Sequence, residues 1–153
     1  MRIPWYLVLI FSVSVTVAGC SGAMVELHDA EGTYTFSKAL TTVQVREAIL
    51  EGAKKAGWSA RDVGDDKILL TYSIRNHTVI EEIFYTKSYY RFTYAGSRNM
   101  KMFCTQQDKK QRRFKVSGQD GCEYGRDPRY IHANYRSWII ALNSAIQGSL
   151  ASI

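Results

Sequence analysis

Before Glu26 the chain carries one charged residue, Arg2, and after Cys20 no stretch approaches the roughly 20 apolar residues that a membrane-spanning helix needs. The first shortage marks off a leader whose single charge is at its start; the second leaves the remainder without a spanning helix. Histidines number three, His28, His77 and His132, and so do cysteines, Cys20, Cys104 and Cys122. His77 and Glu81 have the same strand parity, but a zinc site needs further ligands and no local pattern brings His28 or His132 to them. No metal is expected. A nucleophile elbow, a glycine-rich phosphate loop and a dinucleotide fingerprint are all missing, as are internal repeats and low-complexity runs. The expected role is therefore non-enzymatic and without a cofactor. The alternative is a small hydrolase or metal-dependent enzyme that uses His77 or His132.

What is present begins with an export signal. Arg2 is followed by the apolar run Trp5 to Phe11, then by Val13, Val15 and Val17, and finally by the small residues Ala18 and Gly19. The segment Val17-Ala18-Gly19-Cys20 resembles the lipobox of bacterial lipoproteins. That resemblance implies a diacylglycerol on the Cys20 sulfur, cleavage before Cys20 and an acyl chain on the new N-terminus. A buried methylene contributes ~0.8 kcal/mol and one chain alone binds reversibly, so several chains are what make such an anchor stable. Ser21 stands where an aspartate would imply inner-membrane retention, which points to the periplasmic face of the outer membrane. The expected organisation is a signal peptide over 1–19, a lipidated tether over 20–32 and one periplasmic domain over 33–153.

Loss of Arg2 with the leader takes the formal charge from +6 to +5. A basic exported protein meets lipopolysaccharide phosphates, anionic lipids and cell-wall carboxylates, and nucleic acid is not an expected partner there. With Cys20 assigned to lipid, Cys104 and Cys122 remain as a pair in a compartment that permits disulfides. Their bond would close an insertion at about 103–128 and contribute roughly 3 kcal/mol on the chain-entropy model. That insertion holds Lys109, Lys110, Arg112, Arg113 and Lys115, a candidate anion-binding cluster whose plainer explanation is a solvated loop. Phe114 and Val116, with their alternating neighbours, could form an extra hairpin within it.

The pattern over the rest predicts an α+β fold: an antiparallel meander of three or four strands with two helices on one face, in the order helix, strands, helix. A short strand is expected at Thr33 to Phe36, after a tether without periodicity. Thr42 reads as the N-cap of a helix over about Val43 to Ala56, with Val45, Ala48, Ile49 and Ala53 on one stripe and Gly57 after its end. Extended segments follow at Trp58 to Val63, Lys67 to Ile74, Thr78 to Tyr85 and Tyr89 to Ala95, separated by short polar turns. Val79, Glu81, Ile83 and Tyr85 are expected inside, as are Tyr90, Phe92 and Tyr94. Ile131, Tyr135, Trp138, Ile139, Leu142, Ile146 and Leu150 form the stripe of the last helix, with fraying expected at Gly148.

Val45-Arg46-Glu47-Ala48-Ile49, Gly57-Trp58, Arg75-Asn76-His77-Thr78, Ser97-Arg98-Asn99-Met100 and the run Ile131-His132-Ala133-Asn134-Tyr135-Arg136-Ser137-Trp138 together resemble a family of small proteobacterial lipoproteins. The resemblance covers about residues 42–102 and 131–150, omits the cysteine-bearing loop and implies no enzyme activity. Tyrosines on a sheet can stack on sugars or bind peptides. Tyr89, Arg91, His132 and Tyr135 form the candidate ligand face, against the simpler view that half the tyrosines serve the core. The expected function is an envelope binding or assembly module whose partner is an envelope protein, lipopolysaccharide or the cell wall. Contact would run through an exposed sheet edge, the tyrosine-bearing face or the basic loop.

Overall fold

The structure, a computed structural model, describes residues 23–27, 32–104, 115–116 and 130–153. The signal peptide, Cys20, His28, Lys109, Lys110, Arg112, Arg113 and Cys122 lie outside the described residues, so the expectations that fall on them are not addressed by it. The fold is α+β, with two antiparallel sheets and two helices among the described residues.

Helix α1 (Thr42–Lys55) begins one residue earlier than its periodicity suggests. Thr41 is the N-cap, not Thr42: the Thr41 hydroxyl accepts the Gln44 N–H while the Gln44 side chain accepts the Thr41 N–H. This reciprocal pair satisfies two donors that a helix start leaves open. After α1, Gly57 takes φ +78 and ends the helix, as its position predicts.

Four strands then run as a meander: β3 (Ser59–Gly64), β4 (Lys67–Ile74), β5 (His77–Tyr85) and β6 (Tyr89–Arg98). Asp65 and Asp66 form the two-residue β3–β4 connection with φ of 51 and 54, the double left-handed geometry whose twist matches that of paired strands. At the β5–β6 turn, the Thr86 hydroxyl accepts the N–H groups of Ser88 and Tyr89. Strand β6 runs past Ala95 to Arg98 because a bulge absorbs Ala95: Glu81 pairs with Tyr94, while Ile80 pairs with Gly96. The short strand β2 (Thr33–Thr35) adds to β6, giving a five-stranded sheet ordered β2-β6-β5-β4-β3.

A second, four-stranded sheet was not legible in the sequence. It is built from β1 (Met24–Glu26), β7 (Lys101–Phe103), β8 (Lys115–Val116) and β9 (Tyr130–His132), in the order β1-β9-β7-β8. Met24 to Glu26 fall within the expected tether, yet they pair with β9, and Leu27 is 1% exposed. The packed part therefore starts before Thr33. Ile131, read as the first member of the last helical stripe, lies instead in β9; helix α2 spans Asn134–Ala151 and continues through Gly148 without fraying. Val116 pairs with Lys101, so the insertion does carry a strand, joined to β7.

One core serves both sheets. Ile68, Leu70, Val79, Ile83, Tyr90 and Phe92 from the large sheet meet Val45, Ile49 and Ala53 of α1, Ile139, Leu142 and Ile146 of α2, and Ile131 and Met102 of the small sheet. The Val79 face of β5 and the Tyr90 face of β6 are the buried ones, as their patterns predict. Both helices cover that face and cross closely, since a Cβ on Gly52 would stand 2.5 Å from the Ile146 Cα. Opposite them the outer face carries half-buried Leu69, Ile80, Glu82, Phe84 and Tyr89 with exposed Arg91 and Thr93.

Candidate functional site

Strand β3 is the feature least absorbed by the fold. All six residues from Ser59 to Gly64 are exposed, and among the described residues β3 forms the edge of the large sheet, paired with β4 alone. Its start is fixed by Trp58, which is buried and lies 5.1 Å from the Tyr72 ring; Tyr72 in turn lies 5.2 Å from Trp138 of α2. Its far end is held by Asp62, which accepts the Gly64 N–H and pairs with Arg46 of α1. The Gly64 N–H and then the Arg46 guanidinium hold the Asp62 carboxyl below its usual range, and Asp62 raises Arg46 in return. Burial, followed by the charges of Asp62 and Asp66, pushes the Tyr85 phenol up. The strand is thus anchored at both ends while its outer backbone edge faces solvent, the arrangement that accepts an added strand.

The residues expected to form a ligand face are not brought together. Tyr89 and Arg91 share the outer face of the large sheet, with Tyr89 packed 6.0 Å from Phe84 and Arg91 exposed opposite Thr33 and Phe84. His132 lies on the other sheet. Tyr135 is fully buried, as its place on the stripe of the last helix predicts, and is therefore not part of a ligand face: its hydroxyl donates to Glu81 Oε1 at 2.7 Å, and its ring meets Tyr94 edge-on at 5.8 Å. A buried carboxyl requires such partners, because leaving water without them costs several kcal/mol. Tyr94 extends the polar line by donating to the Ser97 hydroxyl at 2.6 Å.

A second internal network joins β6 to α2. The Tyr90 hydroxyl donates to Asn143 Oδ1 and accepts from Gln147 Nε2, while Tyr34 stacks on its ring at 5.3 Å. Burial pushes the Tyr90 phenol far up, and the Gln147 bond offsets this only in part. These tyrosines hold helix to sheet instead of facing a ligand.

His77 and His132, which no local pattern brings together, lie within electrostatic reach of each other. His77 Nδ1 lies 2.7 Å from the Asn99 carbonyl, and His132 Nδ1 accepts the Asn134 N–H at 3.2 Å. Each ring therefore has a backbone partner. Among the described residues no group of three or more His, Cys, Asp or Glu is gathered, and Glu81 lies in the core, engaged by Tyr135. Cys104 is buried and disulfide-bonded; the expected partner, Cys122, lies outside the described residues. Of the basic cluster, Lys115 is placed in β8, opposite Met102.

The chain matches no family model, no curated protein and no solved structure. Each named residue of the Ile-His-x-x-Tyr-x-x-Trp run nevertheless serves the fold itself, since Ile131 fills the core, His132 caps α2, Tyr135 holds Glu81 and Trp138 packs on Tyr72. The sequence pattern points to an open sheet edge without saying which strand provides it. The stretch Ser59-Ala60-Arg61-Asp62-Val63, with one large apolar residue and no apolar face, is the signal that distinguishes β3 from the inner strands.

Proposed function

We propose that this chain is a non-enzymatic envelope module, lipid-anchored through Cys20 to the periplasmic face of the outer membrane, that binds an extended segment of an envelope protein along β3. The observation that carries this reading is the fully exposed, one-sided pairing of Ser59–Gly64. Added strands gain main-chain hydrogen bonds from such an edge, and flanking side chains select the partner. Arg61 and Asp62 place both charges beside that edge. The anchor supplies the compartment; lipopolysaccharide and the cell wall are the other partners that compartment offers to a basic protein.

A photoreactive residue at Val63, with one at exposed Ser144 as the control, tests the edge in intact cells. A discrete adduct at Val63, absent at Ser144 and lost when Ala60→Pro is added without change in the melting temperature, is the expected result. Equal labelling at both positions, or none at Val63, refutes edge binding. Mass spectrometry of the Cys20 peptide tests the anchor separately, an unmodified thiol being the refuting result. The hydrolase or metal-dependent alternative predicts that His77→Ala or His132→Ala abolishes the cellular phenotype while folding is retained.

A further inference from the structure

His132 ends β9 and stands two residues before Asn134, the first residue of α2. The N-cap position is Ala133, whose side chain makes no cap hydrogen bond, so the His132 ring supplies the acceptor instead, taking the Asn134 N–H on Nδ1. An imidazole that accepts at Nδ1 carries its single proton on Nε2 and is neutral. A second proton would have to enter at Nδ1, the atom already occupied by the Asn134 bond.

The surroundings oppose that proton. From β7 comes Lys101 and from β5 comes His77, whose own Nδ1 is turned to the Asn99 carbonyl. Strand β1 places uncharged Met24 opposite His132, while its Glu26 lies two rungs away and accepts the Tyr130 hydroxyl. Helix α2 has no acidic residue in its first turn, where Arg136 lies, and its positive dipole end disfavours a cation. Burial first, then Lys101, then His77 hold the His132 imidazole below its ordinary value of 6.5.

We propose that His132 is an acid-release catch at the junction of the two sheets. Neutral, it caps α2 and keeps β9 seated between β1 and β7. Protonated, it gives up the Asn134 bond, and the start of α2 loosens together with β1 and β9. The sign follows from the direction of the shift. Above 6.5 the ring is neutral whether the joint is closed or open, and nothing is lost. As the pH falls below that value the open state takes the proton first, and the closed joint weakens until the pH passes the folded-state value. Strand β1 is the described segment nearest Cys20 in the chain, so release would alter how the domain hangs from its anchor; that consequence rests on the anchored reading, whereas the catch does not.

Amide hydrogen exchange on the full chain between ~pH 7.5 and ~pH 5 tests the catch. In the unsubstituted protein the protection factors of Asn134 and Tyr135 should fall several-fold with acid, while those of Ile49 and Val79 in the core hold. His132→Asn keeps an acceptor oxygen where Nδ1 stands and cannot gain the proton, so its protection should stay flat. His132→Ala should show weak protection at Asn134 already at neutral pH, with no further acid loss. Flat protection in the unsubstituted protein, an equal acid loss in His132→Asn, or exchange rising in parallel at Ile49 and Val79 would each overturn the proposal.

Discussion

Replacing Gly52 and Gly148 by alanine should have opposite effects, although both are helical glycines. Alanine is favoured over glycine in a helix interior by about 1 kcal/mol, so each substitution starts with the same gain. At Gly148 nothing lies within 4 Å of the added Cβ and the position is exposed, so the gain should survive. At Gly52 the Cβ would sit 2.5 Å from the Ile146 Cα, 2.6 Å from its N and 2.8 Å from its Cγ1. Ordinary carbon contacts lie at roughly 3.5–4.0 Å, so α1 and α2 would have to separate by about 1 Å. The nearest obstacles are backbone atoms and cannot rotate aside. Such a separation forfeits a quarter to a half of each dispersion contact across the interface, and overpacking of this kind costs roughly 1–3 kcal/mol. Set against the propensity gain of about 1 kcal/mol, the clash should leave a net loss of about 1 kcal/mol and a Tm lower by roughly 2–4 °C. Gly148→Ala should raise Tm by roughly 2–4 °C. Urea unfolding with the disulfide intact measures both, the midpoint moving while the slope holds. A Gly52→Ala protein as stable as the original or more so would refute the close helix crossing on which the core arrangement depends.

Four further substitutions address three separate parts of the fold. Tyr135→Phe removes a hydrogen bond from buried Glu81 and should cost about 1–3 kcal/mol in urea unfolding; a loss below about 0.5 kcal/mol would deny that the pair matters. Thr41→Ala should cost about 1 kcal/mol and Thr42→Ala much less, a contrast in thermal melts that identifies the true N-cap. Peptide mapping without reduction should link Cys104 to Cys122, and Cys122→Ser should cost roughly 2–4 kcal/mol; a Cys104 peptide joined to any other cysteine would contradict the assignment.

The proposed role is easier to read in the light of what the tyrosines do. Tyr90 and Tyr135 tie α2 to the large sheet through their hydroxyls, and Tyr130 ties β9 to Glu26 of β1. A phenol placed inside a small core must find a polar partner, and these partners lie on elements distant in sequence. Among the described residues, β3 and the Tyr89 face of the sheet lie outside this network, and the proposed partner is sought there.

The meander and its inward faces were legible because an alternating strand and an i, i+3, i+4 helix each encode their buried side locally. Ile68, Leu70, Val79, Phe92, Leu142 and Ile146 are all buried where their periodicity places them. The small sheet was not legible, because Met24–Glu26, Lys101–Phe103 and Tyr130–His132 are three-residue strands, too short to show a period, and exist only by pairing with one another across the chain. Ile131 shows the same ambiguity: four residues before Tyr135, it continues a helical stripe, yet a strand in that position also points its side chain into the core. Nor could Glu81 announce its partner, since a buried carboxyl and an exposed one look alike until the Tyr135 hydroxyl arrives from the last helix. Local periodicity thus determined which side of each long element is apolar, whereas pairing between distant segments decided which polar groups are interior and which edge is left open.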